Sequence, residues 1–272
     1  MTVHHLTVPG ATLYCEVTGT GPSLLLVPGG SGDAETYGAL TAELADRYTV
    51  ITYDPRGNSR SPLSGPPVEQ DIPTNADDAA AVLTSLADTP ALVFGSSSGA
   101  QITLDLVARY PELVRIAVPH EPPAVGLLPD HEAQRAAFRR VRDTYATLGV
   151  DAAWVTFGEV TGLAAGPSYP DPATLPPHIA DAIRRTLANR PFFLGYEMVP
   201  FTEYVPDLDR LATVKTEIVP AGGVTSAGQL AARPIRVVAE RLGTEVVDFP
   251  GGHVGYAEHP TEFALRLTDI LG

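Results

Sequence analysis

Short apolar runs recur along this chain, each closed by glycine, proline or a polar residue and most followed by a stretch of helical periodicity. The runs are SLLLVPGG (23–30), YTVITYD (48–54), PALVFG (90–95), VRIAVPHE (114–121), TEIVPAGG (216–223) and TEVVDFPGG (244–252). They are near-continuously aliphatic rather than alternating, which is the pattern of strands covered on both faces in a parallel sheet. Helical patterns fall between them at about 36–46, 74–87, 98–109, 226–242 and 260–271. Parallel neighbours need crossovers, so this alternation predicts an α/β fold with a doubly wound, mostly parallel sheet. Segments 3–8 and 11–18, meeting at PGA, are expected to add an antiparallel hairpin at one edge.

The alternation stops between about residues 123 and 206. Helical stretches at about 131–148, 151–162 and 178–189 flank the Pro-rich run GPSYPDPATLPPH, and no strand is evident. The expectation is a helical cap inserted after the sixth strand, with residues 1–122 and 207–272 forming the core and 123–206 the cap. Aromatic residues concentrate there: Trp154, Phe157, Phe192, Phe193, Tyr196 and Phe201. They are read as part packing and part apolar wall over the carboxyl ends of the strands, where open α/β sheets bind ligands.

GSSSG at 95–99 satisfies G-x-S-x-G with Ser97 at its centre. A strand (ALVF) ends just before it and a helix (SGAQITLDLVARY) starts within it, the setting in which a strained strand-to-helix turn lifts a serine above a sheet. The flanking glycines avoid a Cβ collision inside so tight a turn. Ser98, in the first helical turn, offers a backbone N–H to an oxyanion. The second donor is expected from PGGSGDAETY after the first central strand: the Gly30 N–H, with Ser31 beside it in the substrate region. The base is expected to be His253 in FPGGHVGYAEHP, after the last strand and before the final helix. His259 abuts Pro260 and is read as capping or solvent-facing.

With LLLVPGGSG, YDPRGNSRS, VFGSSSG and FPGGHVGYAEHPTEF in this order, the sequence resembles the α/β-hydrolase fold superfamily over essentially its whole length. The resemblance implies a serine nucleophile, a lid after the sixth strand, and a structural role for Asp54, Arg56, Gly57 and Ser61. One position departs from the pattern. The family's acid usually follows the seventh strand, where IVPAGGVTSAGQ has no carboxylate. The alternative place is after the sixth strand, where AVPHEPP offers Glu121 to orient His253; a Ser–His pair helped only by water or backbone is the rival.

A formal net charge of −14 argues against nucleic acid and against an anionic membrane surface as partners. Cys15 is the sole cysteine, which excludes a disulfide framework and a cysteine metal site. Neither a secretory signal nor a membrane-length apolar run is visible, so a soluble cytoplasmic protein is expected. The expected function is serine hydrolysis of a small to medium hydrophobic ester, lactone or thioester through an acyl-enzyme, without metal or organic cofactor. The alternatives are a non-hydrolytic lyase, cyclase or cofactor-free oxygenase on the same fold, and a ligand-binding protein with weak turnover. Oligomeric state is not legible.

Overall fold

A computed structural model describes residues 1–163 and 174–272. Most of the Pro-rich run, residues 166–173, lies outside the described residues. The chain opens with an antiparallel hairpin, β1 (Thr2–Val8) and β2 (Ala11–Thr18). The central strands are β3 (Ser23–Val27), β4 (Thr49–Tyr53), β5 (Ala91–Ser96) and β6 (Val114–His120). Helices α1 (Gly38–Leu44), α2 (Ile72–Leu86) and α3 (Ser98–Arg109) connect them. The segment after β6 holds α4 (His131–Leu148), α5 (Val150–Thr161), α6 (Pro177–Phe192), α7 (Met198–Glu203) and α8 (Leu208–Leu211), with no strand among its described residues. The chain then returns to the sheet through β7 (Glu217–Ile218), β8 (Ala221–Gly223), α9 (Arg233–Leu242), β9 (Val247–Phe249), α10 (Gly255–Glu258) and α11 (Pro260–Leu271).

The sheet runs β1-β2-β4-β3-β5-β6-β8-β9, with β7 beside β6. Pairing is antiparallel from β1 to β4 and parallel from there on. Alternate strand residues enter opposite layers, as the two-residue period requires. Leu25, Val27, Ile51 and Val93 pack with Ala76 and Leu83 of α2 and Ile102 and Leu106 of α3. Leu24, Leu26, Leu92 and Phe94 pack on the other face with Leu40 of α1 and Phe263 and Leu267 of α11. Both faces are buried, which is why these strands read as continuous apolar runs. A third cluster joins Phe138, Ala153, Phe193, Leu194 and Met198 within the helical segment.

Three element boundaries differ from expectation, each at a proline. The seventh expected strand divides into β7 and β8 because Pro220 has no N–H for the ladder, although its carbonyl still accepts from Val247 at 2.8 Å. The helix expected from 226 starts only at Arg233, since Pro234 fits a first turn and not an interior; Gly228, with φ +84°, turns the chain before it. The helix expected to end near 189 instead runs through Pro191 and continues as a π-helical turn, Phe193–Glu197, into α7. Among the described residues no helix is long and apolar enough to cross a membrane, and no cluster of three or more His, Cys, Asp or Glu is arranged to hold a metal ion.

Candidate active site

Ser97 sits between β5 and α3 with φ 58° and ψ −128°, a conformation L residues avoid. The turn is closed by glycine on both sides. A Cβ at Gly95 would lie 2.3 Å from the Gly99 carbonyl oxygen, and one at Gly99 would lie 2.1 Å from that of Val27. The Ser97 N–H donates to the His120 carbonyl at 2.9 Å, which fixes the turn to the end of β6. Although Ser97 is the N-cap of α3, its hydroxyl makes no cap bond to the helix. Ser98 is the first helical residue, so its N–H is one of those a helix leaves without an internal acceptor. Ser96 is buried, and its Oγ lies 3.1 Å from His120 Nδ1.

β6 ends at His120, and Glu121 leaves the sheet with φ +50°. Its N–H donates to Ala221 at 3.2 Å, and its Oε1 accepts the Gly223 N–H at 2.8 Å. Its Oε2 lies 2.7 Å from His253 Nδ1. An ionised carboxylate can only accept, so the proton belongs on Nδ1 and the lone pair on Nε2. Burial alone would raise the Glu121 pKa, but the hydrogen bonds from His253 and the Gly223 N–H hold it below the usual value. The ionised form of the carboxylate is therefore favoured.

His253 is delivered by close backbone packing. A Cβ at Gly223 would meet the Gly252 backbone at 2.7 Å, and the Thr225 N–H donates to the Gly251 carbonyl at 3.0 Å. His259 is exposed and makes no side-chain cap bond. His120 turns its ring toward Phe94, Phe249 and Phe263, with its centroid 6.5 Å from that of His253. Burial lowers its pKa to about 4, so it is neutral at ordinary pH. Asp54 is fully engaged by the Ala34 and Arg60 N–H groups and the Arg60 guanidinium. Arg56 pairs with Asp78.

Ser97, Ser98, Glu121 and His253 line one cavity of about 50 Å³. Its remaining lining is apolar except for Thr161 and Thr202, whose hydroxyls donate back to Phe157 and Met198 carbonyls of their own helices. Neither lysine nor arginine lines it among the described residues. Phe157, Phe193 and Phe201 are part of this wall; Gly30, Ser31, Trp154, Phe192 and Tyr196 are not. Trp154 instead stacks on Phe157 beneath Arg190, and Phe192 pairs with Tyr196. Phe192 also covers Gly57, where a Cβ would lie 2.3 Å from its ring. Phe138, Met198 and Leu230 line the cavity as well, without a signal beyond ordinary helical apolar spacing.

The loop after β3 passes over the serine. A Cβ at Gly29 would stand 3.0 Å from Ser97 Cβ, and one at Gly30 would fall 2.2 Å from the Phe193 ring. Ser31 is buried, has φ +57°, and offers its carbonyl to Asn189 Nδ2 at 3.1 Å. The polar ties of this loop to α6 have no sequence signature, because single polar residues on a helix read as a solvated face.

Residues 24–266 match the family described as "Alpha/beta hydrolase family". The chain is 38% identical over 279 residues to an uncharacterized hydrolase, YraK, of Bacillus subtilis (strain 168), covering 100% of this chain and 97% of that protein. It is 26% identical over 276 residues to a zearalenone hydrolase of Bionectria ochroleuca, covering 96% and 94%. Among solved structures, the esterase RhEst1 from Rhodococcus sp. ECU1013 superposes with a TM-score of 0.76 at 22% identity, covering 100% of this chain and 98% of that one.

Proposed function

The chain belongs to the alpha/beta hydrolase family, and from that premise we propose that it is a serine hydrolase of neutral, apolar esters, lactones or thioesters. The observation that carries the reading is the 2.7 Å contact of Glu121 with His253 Nδ1, in a cavity that also exposes the positive-φ Ser97. In the reaction, His253 Nε2 takes the proton as Ser97 Oγ attacks the carbonyl carbon. The N–H groups of Gly30 and Ser98 hold the developing oxyanion. His253 then gives the proton to the leaving alcohol or thiol, and water repeats the sequence on the acyl-enzyme. Glu121 holds the imidazole tautomer and offsets its positive charge.

Residues 123–206 act as the cap, on a core of 1–122 and 207–272. Its side chains make the apolar wall, and the lack of a lining cation among the described residues disfavours substrates whose acyl part carries a carboxylate or phosphate. The cavity, about 50 Å³ with largely apolar walls, suits the apolar part of an ester-sized substrate. The non-hydrolytic alternative rests on the missing acid after the seventh strand. Glu121 supplies a carboxylate from the neighbouring strand, which favours hydrolysis.

The test is labelling with a fluorophosphonate probe together with turnover of matched nitrophenyl esters. Expected are labelling at Ser97 only and hydrolysis of butyrate and hexanoate esters at least tenfold faster than of a succinate monoester. Zearalenone joins the panel on the strength of the relative's name. A folded protein that neither labels nor turns over any ester sinks the reading.

A further inference from the structure

The loop expected to bind the oxyanion is held by the cap as well as by the core. Asn189, on α6 and buried, donates from Nδ2 to the Ser31 carbonyl at 3.1 Å and to Ser59 Oγ at 2.9 Å. Its Oδ1 accepts the Ser59 N–H at 2.8 Å. One turn earlier, Arg185 Nε donates to Asp33 Oδ2 at 2.6 Å, and Ser59 Oγ donates to the same oxygen at 3.0 Å. Asp33 is almost fully buried and caps the short helix that ends this loop. One turn after Asn189, the Phe193 ring occupies the space above Gly30. Three successive turns of one helical segment therefore grip residues 30, 31 and 33 from the cap side.

Ser31 is the strained residue of the loop, with φ +57°. Such a backbone persists only where its surroundings over-determine it, and the carbonyl of that residue is what Asn189 binds. Any change in the seating of α6 therefore acts directly on these bonds. We propose that Asn189 is a positioning residue of the oxyanion loop, supported by Arg185. The cap thereby sets the transition-state-binding geometry as well as the pocket wall. Turnover competence then depends on α6 being seated. This rests on the serine-hydrolase reading for its catalytic consequence, although the tie between Asn189 and the loop is read independently of catalysis.

Asn189→Asp keeps the shape and an acceptor for the Ser59 N–H, but loses both Nδ2 donors. Misplacing a transition-state donor by a fraction of an ångström to an ångström costs about 10- to 100-fold in rate. Asn189→Asp is therefore expected to lower kcat on nitrophenyl butyrate by that factor and weaken benzeneboronic acid inhibition in parallel, with KM within about threefold. Arg185→Gln, on a partly exposed residue, is expected to show the same signature at about 3- to 10-fold and serves if Asn189→Asp does not fold. Arg139→Ala, which breaks an ion pair with Glu203 elsewhere in the cap, should leave both readouts unchanged. A merely structural role would lower melting temperature without moving kcat and boronate affinity together. Folded variants within twofold of the parent on both overturn the proposal. If the parent itself neither labels nor hydrolyses, the serine-hydrolase reading fails. Hydrogen exchange of residues 29–33 then decides the tie: tenfold faster exchange in Asn189→Asp upholds it, and unchanged exchange overturns it.

Discussion

Glu121 Oε2 accepts the His253 Nδ1–H at 2.7 Å across a separation of 132 residues. The two meet because β6 and β8 are neighbours: Glu121 leaves the end of β6, and the loop bearing His253 packs on Gly223 at the end of β8. The same β8 terminus donates its Gly223 N–H to the other carboxylate oxygen at 2.8 Å. A strand that lacks an acid of its own thus secures the acid of its neighbour.

Glu121→Gln keeps the size of the side chain and an oxygen for the Gly223 N–H, but loses the charge and permits the wrong imidazole tautomer. Steady-state kinetics should show kcat lower by about 10²- to 10⁴-fold with the thermal transition retained. A rate within tenfold of the parent would show that another group orients His253.

Ser97→Gly removes the nucleophile and a Cβ from a backbone at φ 58°. Strain of about 1–3 kcal/mol is relieved, against about 0.5–1 kcal/mol for the greater freedom of glycine in the unfolded chain. The expected result is a melting temperature a few degrees higher, with no probe labelling. A lower melting temperature would count against strain at the turn.

Glu197, in the π-helical turn, is buried; burial pushes its carboxyl up to about 7, and only partly does the Asn58 Nδ2–H, at 2.8 Å from Oε1, oppose this. With the folded pKa raised above the unfolded one, the folded state binds the extra proton between about pH 4.5 and 7. Stability is therefore full below pH 4.5 and falls as pH rises through about 7, by about 3 kcal/mol from this group. Denaturant unfolding of Glu197→Gln across pH 4–8 should lose that component of the slope. An unchanged slope would refute the assignment.

Gly30→Ala puts a methyl into the Phe193 ring, and Phe193→Ala empties the space. Each alone should destabilise, the first by overpacking of about 1–3 kcal/mol and the second through a cavity costing about 3–5 kcal/mol. The double variant should cost less than the sum by about 1 kcal/mol or more, measured as a double-mutant cycle on unfolding free energy. Additivity would show that the ring does not press on residue 30.

The sequence made the nucleophile turn legible because several demands coincide within a few residues: a β-run, two obligatory glycines and a helix start. Glu121 was legible for a weaker reason, through the resemblance, whose alternative acid position after the sixth strand falls on it. Pro220 and Pro234 shifted boundaries because a missing N–H acts on single bonds that periodicity does not register. The π-helical turn after Pro191 and the network of Asn189, Arg185, Asp33 and Ser59 were not legible. Their partners lie far apart in the chain and are chosen by how α6 docks, which no local pattern encodes. Trp154, Phe192 and Tyr196 share the aromatic composition of the cavity wall but face other rings and Gly57, and composition does not reveal facing.

Glu121 is also the residue at which the chain departs from the sheet toward the helical segment, with Pro122 and Pro123 immediately behind it. The carboxylate is thus rooted upstream of the helical segment whose side chains complete the cavity wall. The segment between residue 123 and the return strand contributes none of the bonds that hold the carboxylate to His253 and Gly223. One residue gained or lost between His120 and Pro122, by contrast, would swing the carboxylate away from the ring. The Glu121–His253 pair and the helical part of the cavity wall are thus set by separate stretches of chain, divided at a single peptide.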